Sequence, residues 1–254
     1  MRERKSSRSF LEPDMVVDLL DAGGEWEASL PSHQRVGRRA LLALLCLGGP
    51  RVGEVIAADR GDFDLAGGRW RIPESKTESG RRDLELTMYL RDELVEHVAA
   101  MEGLGRPRGS RKPMFPTRTG GRHGRHGVGD RLSGAVERAN AKRAEEGKQL
   151  LPDRVTPHTL RRTYASLAPA AGRNPRWVMA QLGHADARVT LSIYAQVVQR
   201  QVTDQALIWR LMRFAGEPEN GASDGSFDPT NGPTSADLAD GTAGGSRSRV
   251  ERSA

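Results

Sequence analysis

The chain has 254 residues, with 39 lysines and arginines against 33 acids, a net charge of +6 and a pI near 10.0. Its longest apolar run, residues 40–47, is far short of the roughly 20 that a membrane helix needs, and no apolar stretch follows the basic N-terminus at signal-peptide position. The single cysteine, Cys46, excludes an internal disulfide and a multi-cysteine metal site. The expectation is a soluble, basic protein of the cytoplasm.

Residues 1–9 read as a basic extension. Residues 12–22 predict a helix: Pro13 suits a first turn, and Met15, Val16, Leu19 and Leu20 recur at helical spacing until Gly23-Gly24 stops them. Residues 32–47 predict a second helix, with Ser32 as N-cap and Val36, Ala40, Leu41, Leu44, Leu45 and Cys46 inside. Gly48-Gly49-Pro50 breaks it, and residues 51–58 restart a short one. The period then changes. Phe63, Leu65, Trp70, Ile72, Leu84 and Leu86 sit in short alternating runs, split by Gly67-Gly68 and by residues 75–80, which predicts a small antiparallel sheet of two or three strands.

Helical patterns resume at 88–101. Residues 105–127 read as a loop with seven lysines and arginines and no acid. Further helices are predicted at 130–146, 159–168, 175–182, 189–198 and 202–214. The fold class is therefore mainly α with a small antiparallel β-sheet. Residues 216–254 carry seven acids, three arginines and almost no large apolar side chains, so they are expected to form a disordered acidic tail. Without that tail the body, residues 1–215, carries +10. Such a charge points to a polyanion, most commonly nucleic acid.

Four strings carry candidate chemistry: Gly48-Gly49-Pro50-Arg51-Val52-Gly53-Glu54, opening a helix; Ser75-Lys76-Thr77-Glu78-Ser79-Gly80, at a hairpin tip; His158-Thr159-Leu160-Arg161-Arg162-Thr163, on a helix; and Leu182-Gly183-His184, followed ten positions later by Tyr194. Taken singly, each also reads as an ion pair, a solvated turn, a cap or a core residue. Taken together, two arginines, two histidines, a lysine and a tyrosine suit chemistry at a phosphodiester. Guanidinium forks match the non-bridging oxygens, clustered positive charge favours a phenolate nucleophile, and a lysine can protonate a departing oxygen.

In that order the residues resemble the catalytic domain of the tyrosine recombinases, the phage-type integrases, from about Phe10 to Phe214. The resemblance implies that Arg51 and Arg161 bind the scissile phosphate and that His158 and His184 hydrogen-bond it, with His158 also a proton carrier. It implies that Lys76 is the general acid, that Tyr194 forms a 3′-phosphotyrosyl link, and that Glu54 supports the first arginine. The partner is double-stranded DNA. The link stores the bond energy, so no cofactor and no metal are expected. Assembly as a tetramer on paired sites is implied, through the helix at 202–214, whose Leu207, Ile208, Leu211, Met212 and Phe214 would dock on a neighbouring protomer.

Arg118, Arg122 and Arg125 in the basic loop are expected to contact phosphates. His123 and His126 beside them lack carboxylate or thiol partners for a metal. Tyr164 is expected to be structural. Two departures from the pattern stand out. Arg162 occupies a place where many relatives have histidine, and fewer than ten residues precede the match, so the helical core-binding domain that family members carry there is expected to be absent. The expected function is a site-specific recombinase or integrase. The alternatives are a non-catalytic DNA-binding remnant and a relaxing activity like that of type IB topoisomerases.

Overall fold

The computed structural model describes residues 10–73, 81–106, 109–183 and 204–217. The extension at 1–9, Lys76, His184, Tyr194, the helix expected at 189–198 and the tail from 218 onward lie outside the described residues.

Helix α1 (Pro13–Ser29) begins as the sequence predicts but runs straight through Gly23-Gly24. The glycines are there for packing. A methyl group on Gly23 would sit 2.8 Å from Leu42 Cδ1, and one on Gly24 3.2 Å from Arg39 Cδ. Their absence lets α1 lie close against α2 (Arg38–Leu47), and the contact outweighs the roughly 1 kcal/mol by which glycine disfavours a helix. The true stop is Leu30-Pro31, where the residue before proline turns extended.

The extra turns carry Glu27 to the start of α2. Its carboxylate accepts hydrogen bonds from the backbone N–H groups of Gly37 at 2.8 Å and Arg38 at 3.3 Å, and pairs with the Arg38 guanidinium. The single helix expected over 32–47 is consequently two: a 3₁₀ turn (Ser32–Gln34), then α2 after a break at Gly37. Gly37 has φ +77°, and its Cα faces the His97 ring too closely for any side chain. Nine of the ten α2 residues are buried, and this helix is the centre of the core.

After α3 (Val52–Ala57) and a 3₁₀ turn, three strands form an antiparallel sheet in the order β1-β2-β3: β1 (Phe63–Asp64), β2 (Arg69–Ile72) and β3 (Arg82–Glu85). Phe63 pairs with Trp70, and Trp70 with Leu84. Trp70, Ile72 and Leu84 line the buried face, and the Phe63 and Trp70 rings stack 4.9 Å apart. Helix α4 (Met88–Gly103) follows, capped by the buried Thr87 hydroxyl, which accepts from the Leu90 N–H.

Helix α5 (Arg125–Glu145) starts five residues earlier than the hydrophobic pattern predicts, so the end of the expected basic loop is helical. Helices α6 (Pro157–Ala170) and α7 (Pro175–Leu182) have Thr156 and Asn174 as N-caps and proline in their first turns. Among the described residues no helix is long and apolar enough to cross a membrane.

In the last described helix, α8 (Gln205–Met212), Ile208, Leu211 and Met212 are buried within this chain, where α8 packs against α4, α6 and α1. The segment after it is also tied down. The Met88 N–H donates to the Arg213 carbonyl, Phe214 meets Trp177 edge-on at 5.2 Å, and Arg173 lies 4.4 Å over the Phe214 ring while pairing with Glu217. The tail expected from 216 therefore still contributes Glu217 to the folded body.

Candidate active site

The turn Gly48-Gly49-Pro50 delivers Arg51 to the start of α3. Gly49 has φ +64°, and a methyl group on it would lie 2.6 Å from the Tyr164 ring and 2.9 Å from Leu182 Cδ2. Backbone is thereby packed directly on α6 and α7. Gly49→Ala is expected to cost about 2–5 kcal/mol, from the positive φ and the overpacking together. A urea melt checks this, and an alanine variant as stable as the wild type would refute the tight contact.

Arg51 is the N-cap residue of α3. The Glu54 carboxylate, one turn on, accepts from the Arg51 backbone N–H at 2.7 Å and from its Nη1 at 2.9 Å. Arg51 Nη2 donates to the Gly183 carbonyl at 2.8 Å. Arg161, buried on α6, donates from Nη1 to the Gly49 carbonyl at 2.7 Å and from Nη2 to the Leu182 carbonyl. Arg82, the first residue of β3, donates from Nε to the Gln181 carbonyl at 2.6 Å.

Three successive carbonyls at the end of α7 thus accept from three arginines belonging to three different elements. The last carbonyls of a helix have no partners within it and carry the negative end of its dipole, so they suit guanidinium donors. Gly183 closes the helix in the left-handed conformation, φ +63°. By sequence the next residue is His184.

Charge is concentrated here. Burial lowers the Arg161 guanidinium to a pKa of about 10, and Arg51 and Arg82 add to the fall while Glu54 opposes it. At neutral pH the group remains charged, but it is short of solvent and of counter-charge. Burial alone would raise the Glu54 carboxyl. The hydrogen bonds and charge of Arg82, joined by the bonds from Arg51, outweigh burial and hold it below its ordinary value as a carboxylate. His158, exposed and one turn before Arg161, is lowered by partial burial and then by the charges of Arg162 and Arg161.

Arg51, Glu54 and Arg161 are therefore brought together, with His158 on the helix of Arg161. Of the basic-loop arginines, Arg125 reaches α3, with its Nη2 3.7 Å from where a methyl group on Gly53 would sit. Arg122 is engaged within the chain: its Nη1 caps the end of α3, donating to the carbonyls of Ile56, Ala57 and Ala58, and its Nη2 pairs with Asp59 at 2.7 Å. Arg122 thus caps a helix while its side chain stays 40% exposed. Arg118 and Arg125 are exposed, Arg125 at the start of α5.

Arg82 is the residue that sequence reasoning missed. Strand alternation puts it on the same face as the buried Leu84, and a charged side chain on an inward face was the available signal. Tyr164 is wholly buried, and its hydroxyl has no hydrogen-bond partner among the described residues.

The phage integrase family model matches residues 9–201. The chain belongs to that family. It is 29% identical over 183 residues to the tyrosine recombinase XerC of Pelotomaculum thermopropionicum, covering 69% of this chain and 53% of that one. It is 31% identical over 188 residues to XerC of Herpetosiphon aurantiacus, covering 74% and 57%. This chain thus spans little more than half the length of those relatives. Its fold matches that of the XerH site-specific recombinase bound to difH substrate with a TM-score of 0.58 at 19% identity, over 74% of this chain and 50% of that one.

Proposed function

We propose that this chain is the catalytic portion of a site-specific DNA recombinase that breaks and rejoins strands through Tyr194. The observation that carries the reading is the pair Arg51 and Arg161. They arrive from α3 and α6 and are held at one spot by adjacent carbonyls of the α7 end. Two fixed guanidinia suit the non-bridging oxygens of one phosphodiester, where charge builds in the transition state. The family membership and the DNA-bound relative support duplex DNA as the substrate.

In this reading the Tyr194 phenolic oxygen attacks phosphorus, forming a 3′-phosphotyrosyl bond as the bond to the 5′ oxygen breaks. Lys76 supplies the proton to that 5′ oxygen, His158 takes the proton from Tyr194, and His184 hydrogen-bonds the phosphate. A 5′-hydroxyl from a partner strand then reverses the step at a new junction. Glu54 holds Arg51 without reacting. Exposed Arg118 and Arg125 add phosphate contacts. Assembly of several chains on paired sites through residues 202–214 would require α8 to leave its own groove.

The test is covalent trapping on a pool of nicked duplexes with randomised half-sites, followed by strand exchange between two copies of the selected site. No covalent band from the wild type would defeat the reading, and relaxation without exchange would favour the topoisomerase-like alternative.

The proton role of His158 gives a pH prediction. Its pKa lies below the ordinary 6.5, so it is neutral and able to accept a proton at pH 7. Single-turnover cleavage is expected to rise with pH through a limb below 6.5 and then level off. Arg162→Ala removes one of the charges that lower His158 and should move the limb to higher pH. A limb that stays in place in both Arg162→Ala and His158→Ala would separate His158 from the proton transfer.

A further inference from the structure

We propose that Arg82 is a positioning residue that sets the Arg51 guanidinium at the reacting phosphate by locking Glu54 to the end of α7. The proposal deepens, and rests on, the strand-cleavage reading above. Arg82 lies at the start of β3 with its side chain 7% exposed, and Glu54 is 8% exposed. Arg82 Nη1 donates to Glu54 Oε1 at 3.0 Å, Nη2 to Glu54 Oε2 at 3.1 Å, and Nε to the Gln181 carbonyl at 2.6 Å. The fork grips the carboxylate while the third nitrogen grips a helix end.

These bonds close a ring. From the Gln181 carbonyl it passes through Arg82 to Glu54, from Glu54 to Arg51, and from Arg51 Nη2 back to the Gly183 carbonyl, two residues beyond its start. Every link is charge-assisted, two of them made to helix-terminal oxygens, which favours one geometry over many. Gln181 adds a further tie, accepting from the Glu85 N–H of β3 through its side-chain oxygen.

Without Arg82 the buried Glu54 carboxylate has only Arg51 to pair with among the described residues. Arg51 would then be drawn onto the carboxylate and away from Gly183. Arg51 is the member of the pair with an accessible side chain, 45% exposed, so a small shift of its guanidinium changes what it offers to a phosphate. Lysine cannot replace Arg82 fully. Its single ammonium keeps the charge beside Glu54 but cannot span both carboxylate oxygens and a carbonyl.

The test uses the full chain and single-turnover covalent-complex formation. Arg82→Met should slow cleavage roughly 100-fold, the order that an error of about 1 Å in a positioned group costs. Arg82→Lys should recover part of that, to within about tenfold of wild type. On a duplex with a neutral methylphosphonate at the scissile position, which needs fewer donors, the Arg82→Met defect relative to wild type should shrink to a few-fold. In the Arg51→Ala background, adding Arg82→Met should change the rate little, since the two act as one unit.

Arg143→Met is the matched control. Arg143 is a buried arginine tied to Asp14 and Asp18 in another part of the chain. It should lower Tm and leave the ratio between the two substrates as in wild type. Orthovanadate binding, followed by calorimetry, reads the same geometry without turnover and should weaken at least tenfold in Arg82→Met. Arg82→Met defects equal on both substrates, or cleavage and vanadate binding at wild-type levels, would overturn the proposal. A wild type that binds vanadate in an Arg82-dependent way but never links to DNA would uphold it and defeat the strand-cleavage reading instead.

Discussion

Replacing Tyr194 with phenylalanine is expected to abolish the covalent protein–DNA complex, whereas the same change at Tyr164 or Tyr89 should leave it. The chain has three tyrosines. Tyr164 is fully buried, with its hydroxyl pushed toward the neutral form chiefly by burial. Tyr89 accepts a hydrogen bond from Arg39 Nη2 at 2.8 Å, inside an ion cluster with Asp21 and Glu93, and burial raises its pKa too. Neither can present a phenolate to a phosphodiester. That supports Tyr194, which the family resemblance names, as the nucleophile. Tyr164→Phe should also fold at no loss in Tm, because it removes a buried hydroxyl with no partner among the described residues. The measurement is gel mobility of end-labelled nicked duplex after protein denaturation. A surviving band in Tyr194→Phe would reject the assignment.

Much of this arrangement was legible from residue order. Period and punctuation gave helices from 12, 88, 159 and 175, within two residues of their observed starts, and a sheet of two or three strands, because those segments obey local rules: proline in a first turn, helical spacing of apolar residues, alternation of Trp70, Ile72 and Leu84. Where the sequence reading failed, a tertiary contact had overruled a local signal. Gly23-Gly24 looked like a stop and is a close packing surface for Leu42 and Arg39. The basic neighbours of Arg122 do not announce that it also serves the carbonyls of α3, more than sixty residues away in sequence. Nothing local announces the groove between α4 and α6 that receives the apolar face of α8 within this chain. The site divides in the same way. Arg51 and Arg161 carry a family pattern, whereas the role of Arg82 exists only once β3 is set against α3 and α7.

Loss of Arg161 should have the largest effect of any substitution among the described residues. Its guanidinium holds the Gly49 turn and the end of α7 together, and in the proposed reading it also binds the phosphate. Arg161→Ala removes one transition-state donor, a loss of roughly 10²–10³-fold in cleavage. It also strands two carbonyls, at about 1–3 kcal/mol for each buried group left unsatisfied. Arg161→Lys should not rescue the rate, since a point charge cannot bridge both carbonyls and present a fork. DNA affinity should change far less, because one contact among many alters the slope of log K against log salt by only about 0.9. A guanidinium held at a pKa of about 10 by burial gains when an anion arrives, so sulfate or duplex DNA should raise the Tm of the wild type. The effect should keep its size from pH 7 to 9, where Arg161 stays protonated, and should shrink in Arg161→Ala. Differential scanning fluorimetry with and without DNA measures it alongside the cleavage rate. Equal Tm shifts in both proteins, together with a mild rate defect, would place the anion elsewhere on the surface and Arg161 outside the reacting centre.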